Sequence, residues 1–365
     1  MPDLVLRIAG VDHTNWTNLQ ITRSLDQIAD TFDLGLTTQA SSRPPPVPIV
    51  MGLPCEVLYN GALLLSGYID RVASKYDARS TSLTISGRSR AGQLVDCTAI
   101  HAPFRDATVL RIAQDLCAPF GISVDLDVAD IELPKETRFK LTEGEKVFGA
   151  LERLGKDYAL RLVSEPDGSI KFTRTGAVRY PDVVIERGRN VLAGGLETSL
   201  EERFSQYIFK AQLAASDDTY GAQVNTQYAV DDAGVPLYRP LVIESDEQVR
   251  DFKGKFTKDK VKTPLQLRAE WERNTRAGKS RTLTYEVGDP NDLALSWEHG
   301  RGVWAPNTIV TVRDDYHKID GPYLITQVTL MRDGQGTRTS LALTHPEAYE
   351  VELPPKKGKK GGFVW

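Results

Sequence analysis

The 365 residues carry 45 Lys and Arg against 49 Asp and Glu, a net charge of −4, with 41% hydrophobic and 26% charged residues. That length predicts about two to three domains, and the balance is that of an ordinary soluble chain. So weak and acidic a charge excludes a general nucleic-acid binder, which would be basic, and no run reaches the roughly 18 apolar residues of a membrane span.

Met1-Pro-Asp-Leu opens without the charged and apolar regions of a signal peptide. Leu4–Ile8 and Trp16–Arg23 read as strands, the second with Leu19 and Ile21 on one face. Ser24–Asp30 is a bulging loop, and Thr31–Leu36 returns to strand with Phe32, Leu34 and Leu36 aligned. Ala40–Pro48 holds four prolines, three of them consecutive (Pro44, Pro45, Pro46). Proline fixes φ and removes a donor, so this is an extended surface loop in preference to a PxxP ligand. Cys55–Tyr59, Leu63–Val72 and Ser82–Ile85 make three further strands. Asn60-Gly61 favours a tight primed turn, where both central residues hold positive φ.

The pattern then changes. Asp106–Pro119 is helical, with Val109, Ile112, Ala113 and Leu116 spaced three and four apart. Thr142-Glu-Gly-Glu145 has capping-box spacing before a helix lined by Val147, Leu151 and Leu154. Ala159–Val163, Pro166-Asp-Gly168 and Ile170–Thr173 form a hairpin. Strand character resumes near Val183 and through Leu196–Leu213, before a polar stretch at Ser216–Asn225. Ser245-Asp-Glu-Gln248 opens a helix to Phe252, and Thr263-Pro264 opens another to Ala277, stopped by Gly278. Ser280–Val287 is again strand. Trp304–Thr344 is a three-strand meander: Ile309–Val312, a break at Asp314-Asp315, a turn at Asp320-Gly321-Pro322, then Tyr323–Val328, a tip at Arg332–Gly336, and Ser340–Thr344.

The chain repeats itself. Arg23-Ser-Leu-Asp-Gln and Thr198-Ser-Leu-Glu-Glu202 match at a shift of 175 (Ser24 to Ser199), which carries Phe32 to Tyr207 and Leu34 to Phe209. Gly67 matches Gly321 at 254, Val72 matches Val328 at 256, and Ser82-Leu83 matches Ser340-Leu341 at 258. Two matches in the same order predict two related β-barrels in one chain.

Chemistry is sparse. His13, His101, His299, His317 and His345 have no metal-ligand spacing, and there is no GxSxG or P-loop. Cys55, Cys97 and Cys117 also lack metal spacing and cannot all pair, as in a protein made in a reducing cytoplasm; Cys117 falls on the apolar side of its helix. Asp314-Asp315-Tyr-His317 is the densest polar cluster; two adjacent carboxylates predict a solvated hairpin turn rather than a cation site. No catalytic residue, metal or cofactor is expected. Lys356–Lys360 reads as a solvated tail, while Phe363, Val364 and Trp365, behind flexible glycines, are candidate partner-docking residues.

The order of parts resembles the baseplate hub proteins of Mu-like phages, and more distantly the T-even hub and the N-terminal part of type VI secretion spike proteins. The residues that carry this are Ile21-Thr-Arg-Ser-Leu-Asp with Phe32-Asp-Leu, Gly67-Tyr-Ile-Asp, Ser86–Asp96, Trp304-Ala-Pro-Asn, and Gly321-Pro-Tyr-Leu-Ile with the last meander. The resemblance implies a β-rich α+β fold. It divides as a first barrel (1–95), an inserted α/β domain (96–180), a second barrel (181–210 and 280–348) with a polar, helical insertion (211–279), and a basic tail (349–365). It implies a structural, non-enzymatic virion protein of the phage tail. Three copies would form a ring that adapts a six-fold tail tube to a three-fold spike and leaves a lumen for DNA. The implied partners are the other copies, the tail tube or distal tail protein, the central spike and the tape measure protein, with no membrane insertion. A mildly acidic chain suits a lumen that must not hold passing DNA. The competing readings are a tail-associated cell-wall hydrolase, which needs a paired acid or nucleophile, and the hub part of a type VI-like spike.

Overall fold

In the computed structural model the described residues are 4–14, 16–39, 49–78, 80–100, 104–105, 107–127, 138–157, 160–212, 225–245, 264–288, 297–334 and 336–349. Strands β1 (Leu4–Ile8), β2 (Val11–His13), β3 (Asn18–Ser24), β4 (Thr31–Gln39), β5 (Pro54–Tyr59), β6 (Ala62–Tyr76) and β7 (Ser80–Ser89) form where apolar and polar residues alternate. Leu19, Ile21, Phe32, Leu34, Val57 and Ile85 all point into the core. The Asn60-Gly61 turn has φ of 49° and 79°, as the dipeptide predicts.

The α/β segment follows: α1 (Gly92–Asp96), β8 (Phe104–Arg105), α2 (Val109–Cys117), β9 (Val124–Leu126), β10 (Arg138–Phe139), α3 (Val147–Asp157), β11 (Arg161–Ser164) and β12 (Ile170–Thr173). The Thr108 side chain caps α2 by accepting from the Arg111 amide. The Thr142–Glu145 box is half realised. The Glu145 carboxylate accepts from the Thr142 amide at 2.9 Å, but the Glu145 amide donates to the Thr142 carbonyl, closing a turn ahead of α3. Arg153 holds the same carboxylate. The expected hairpin β11–β12 is joined by a parallel neighbour, β9, which local pattern does not announce.

β13 (Val178–Glu186) and β14 (Val191–Thr198) return to sheet. An insertion then builds its own three-stranded sheet from β15 (Gln206–Gln212), β16 (Asn225–Asp231) and β17 (Pro240–Ser245), with Tyr207 and Phe209 buried, followed by helix α4 (Pro264–Lys279). After it come β18 (Arg281–Val287), the short pair β19 (Glu298–His299) and β20 (Gly302–Val303), and then β21 (Thr308–Asp314), β22 (Ile319–Asp333) and β23 (Gly336–Thr344). The chain divides into two compact units, one of residues 1–195 and 283–343, the other of residues 196–282 and those from Thr344 on. Within the second, α4 packs on the 3-10 turn Pro346–Ala348; a Cβ on Gly278 would stand 1.8 Å from that of Ala348. That contact requires glycine, and α4 runs through Gly278 to Lys279 instead of stopping there.

Two expectations change. The strands do not form two separate barrels: among the described residues no ladder closes, and both strand sets lie in one 13-stranded, largely antiparallel sheet. The cause is the 15-residue β22, whose first half pairs with β21 and whose second half pairs with β3, so the two sets fuse edge to edge. The turn expected at Asp320-Gly321-Pro322 lies inside β22; the chain reverses at residues 315–318, where Lys318 holds φ of 56°. Ser245, the expected helix cap, ends β17 instead; the proline-rich 40–48 segment, residues 246–252 of the helix it was to open, the Thr263 cap, residues 216–224 of the polar stretch, His101 and the C-terminal 350–365 tail lie outside the described residues.

Candidate assembly surface

The repeat is legible in the strand order. One stretch of the sheet runs β3-β4-β7-β6-β5-β1, and the other runs β14-β18-β23-β22-β21-β13. Matching hydrogen bonds fix the residue correspondence. The Gly52 amide donates to the Ile69 carbonyl at 2.8 Å, and the Asn307 amide to the Ile325 carbonyl at 3.0 Å. Gly52 and Asn307 both sit at positive φ, 81° and 62°. Ile69 to Ile325 is a shift of 256, the same as Val72 to Val328. The Ser24 hydroxyl accepts from the Asp26 amide at 3.2 Å, and the Ser199 hydroxyl from the Glu201 amide at 3.1 Å, so the 175 shift holds there too.

That shift fails one strand later. Tyr207 and Phe209 belong to the inserted sheet, and the place of Phe32 and Leu34 is taken by Leu283 and Tyr285 of β18. Phe32 and Leu34 pair with Gly87 and Ile85, as Leu283 and Tyr285 pair with Leu343 and Leu341. Gly67 and Gly321 are not equivalent either. A Cβ on Gly67 would meet the Arg88 carbonyl oxygen at 1.9 Å, whereas Gly321 has nothing within 4 Å. The equivalence also ends at the outer strands, since β1 is antiparallel to β5 and β13 parallel to β21.

The two repeats meet where Gln327–Arg332 of β22 pairs antiparallel with Ser24–Leu19 of β3. The Leu25 amide extends the seam to the Thr326 carbonyl at 2.8 Å, and the hydroxyls of Thr22 and Thr329 meet at 3.4 Å. Beside it, Arg23 donates to the buried Asp30 carboxylate at 3.1 Å and to the Ser164 carbonyl at 3.1 Å, tying the seam to β11. Burial pushes Asp30 up to about 6 despite the arginine, whose charge pulls the other way. Arg88 of β7 binds Asp70 of β6 and Asp96 at the end of α1, each at 2.6 Å. The Gly67–Asp70 and Ser86–Asp96 motifs therefore close on one another through this three-residue ion cluster.

Asp314 departs from its expected place in a solvated turn. It is 3% exposed and accepts four hydrogen bonds: from the Tyr285 hydroxyl and His317 Nδ1, both at 2.7 Å, and from the amides of Tyr316 and His317. Burial opposes ionisation, yet these bonds win and hold Asp314 down to about 2. The signal was present in parity, because Val310, Val312 and Asp314 share the inward face of β21. Asp315 instead faces solvent and pairs with Arg187. Among the described residues no three His, Cys, Asp or Glu side chains are grouped to hold a metal. Cys117 is core, as its helical position predicts. Phe363, Val364 and Trp365 lie outside the described residues.

Two strands of the large sheet are exposed among the described residues. The outer half of β6 exposes Arg71, Ser74, Lys75 and Tyr76, the last at 89%. β14 exposes Leu192, Ala193, Gly194, Gly195, Glu197 and Thr198. These are the surfaces on which an assembly could be built.

Comparison with known proteins matches this architecture. Residues 3–89 match the N-terminal model of the Mu phage baseplate assembly protein GpP-like family. Residues 91–174 match the second domain of gp44-like baseplate hub proteins, and residues 262–352 the fourth domain of Mu phage baseplate assembly protein GpP. The baseplate hub protein gp44 of Escherichia phage Mu is 29% identical over 375 residues, covering 98% of this chain and 92% of that protein. The 43 kDa tail protein of prophage MuSo2 from Shewanella oneidensis superposes with a TM-score of 0.79 at 27% identity, covering 96% of this chain and 100% of that one. An Escherichia coli component of the type VI secretion system, described as similar to the T4 tail proteins gp27 and gp5, shares the fold alone, with a TM-score of 0.54 at 11% identity over 96% of this chain and 79% of that one. Three such models lie in order along the sequence and a hub protein matches over nearly its full length, so the chain is similar throughout to the Mu-like baseplate hub proteins, structural components of the phage tail.

Proposed function

We propose that three copies of this chain form a ring at the distal end of the tail tube. Each contributes its two repeats, so the ring offers six near-equivalent units to a six-fold tube on one side and three-fold symmetry to a spike on the other. A channel for DNA is left along the axis. The observation that carries this reading is the β22–β3 seam: one chain already holds two similar strand sets side by side, joined by backbone pairing. Such a seam is what a symmetry adaptor repeats around a ring. The chain binds and positions; it performs no catalysis. In this reading 1–95 and 181–210 with 280–348 are the tube-like parts, 96–180 and 211–279 reach towards neighbours, and DNA passes without specific binding. The tape measure protein threads the same lumen. Phe363, Val364 and Trp365, which follow Gly361 and Gly362, enter a groove of a tail partner.

Light scattering on the purified chain tests this. The expected mass is three times that of the 40.4 kDa chain, rising further with the cognate spike protein. A chain that stays single and binds neither tube nor spike would refute the proposal. Deleting Gly361–Trp365 should leave the ring intact and weaken capture of one tail partner.

A further inference from the structure

Resting on that ring, we propose that it is sealed by strand addition: β14 of one copy lies antiparallel along Arg71–Tyr76 of β6 in the next, reproducing between chains the β3–β22 seam found within each chain.

The repeat supplies both halves of the joint. β3 has two strand neighbours, β4 on one edge and β22 on the other, whereas its counterpart β14 has only β18 among the described residues. β22 uses its outer half, Gln327–Arg332, to pair with β3. Its counterpart β6 has the same length, 15 residues, and on that edge pairs with β5 only as far as Tyr68, with Ile69 bonded to the Leu53 carbonyl. Beyond that point Arg71–Tyr76 pairs with β7 alone among the described residues. Among the described residues each copy therefore carries one open edge of each kind. An edge left with unpaired amides and carbonyls recruits another strand, and a head-to-tail joint between two different edges closes into a ring when the rotation permits.

The two shifts set the register. Gln327 faces Ser24 and Arg332 faces Leu19 in the internal seam. Subtracting 256 from β22 and adding 175 to β3 places Arg71 opposite Ser199 and Tyr76 opposite Gly194, six residues on each side. Residues two apart share a face. Glu197 of one copy then lies opposite Ala73 of the next, with Arg71 and Lys75 at its two diagonals. All three charged residues are exposed in the single chain. Opposite charges at such cross-strand distances favour the pairing. On the other face Tyr76, 89% exposed in the single chain, falls opposite Gly194, whose side-chain face is already filled by the Tyr285 ring of its own chain. Charge placement and backbone geometry thus select the same register.

The test compares wild type, the double variant Arg71→Glu/Lys75→Glu, and the triple variant that adds Glu197→Lys. Mass is read by light scattering, with circular dichroism as a check on folding. The expected result is a three-chain mass for wild type, a single-chain mass for the double variant, and recovery of the larger mass in the triple variant. A second measurement uses Lys75→Cys/Gly195→Cys in a Cys97→Ser background. Oxidation should give covalent dimers and trimers on a denaturing gel. If wild type assembles but the double variant keeps its mass and the cysteines fail to cross-link, strand addition in this register is overturned while the ring stands. If wild type is a monomer, the ring itself is overturned.

Discussion

The Asp314 knot makes a quantitative prediction. Asp314→Asn removes the charge while keeping the shape, and leaves Tyr285 and the Tyr316 and His317 amides facing a weaker acceptor. Asp314 is held at about 2 against a usual 3.8. At about 1.4 kcal/mol per pH unit, that preference stabilises the folded chain by roughly 2.5 kcal/mol at neutral pH. The sign follows from the direction. A depressed carboxyl contributes stability that is full above its unfolded value near 4 and is lost as pH falls towards 2. Urea midpoints for wild type and variant, converted with a common slope, should differ by about 2.5 kcal/mol at neutral pH and by about half of that near pH 3. Asp30 titrates in the opposite sense but is common to both chains, so it cancels in the difference. Equal stability at neutral pH, or a gap that keeps its full size near pH 3, would refute the claim that the ionised carboxylate organises this turn.

Four further outcomes follow from the geometry. Gly67→Ala would drive a Cβ to within 1.9 Å of the Arg88 carbonyl oxygen and force β6 from β7, costing more than about 3 kcal/mol in a denaturant melt. Gly321→Ala, with open space around it, should cost under about 1 kcal/mol in the same assay. Asp30→Asn should flatten one limb of the pH profile: a carboxyl raised to about 6 contributes stability that is full below about pH 4 and lost as pH rises through 6, so wild type gains on the variant when acidified from neutral pH to about 4. A thiol reagent should find Cys97 in the folded chain. Cys55 and Cys117, buried and pushed up to about 12, should react only after unfolding.

How far the sequence could be read depended on what each pattern encodes. Alternation shows which residues share a strand face, so Phe32 and Leu34 align from spacing alone and both are buried, and Asn60-Gly61 specifies its turn from backbone conformation. Alternation does not say which strand lies alongside. Tyr207 and Phe209 have the same spacing as Leu283 and Tyr285, and only the hydrogen bonds show that the second pair stands where Phe32 and Leu34 stand in the first repeat. For the same reason the fusion of both strand sets through β22 was hidden. A strand of 15 residues can take two partners on one edge, and nothing local marks where one ends and the next begins. The assembly residues were the least legible, since Arg71, Lys75 and Glu197 look like any charged edge until the repeat aligns them.

The insertion between β14 and β18 shows why the second repeat tolerates a break that the first does not have. In the first repeat a short turn, residues 25–30, leads from β3 to β4. In the second, the same pairing spans residues 199–280. For a flexible loop this extra length would cost roughly 2 kcal/mol in closure entropy, because the penalty rises only with the logarithm of length. The insertion reduces even that by folding on its own terms. β15 pairs with β16 and β17, and Arg203 grips Asp232 at 2.7 Å while donating to the Ser280 hydroxyl at 3.2 Å. The Ser199 amide meets the Ser280 carbonyl at 2.9 Å, so the two ends of the insertion leave and re-enter the sheet side by side. A segment whose ends already lie one hydrogen bond apart constrains the sheet no more than a hairpin does. The repeat could thus take on about 80 residues and keep the strand pairing on which the proposed seam depends.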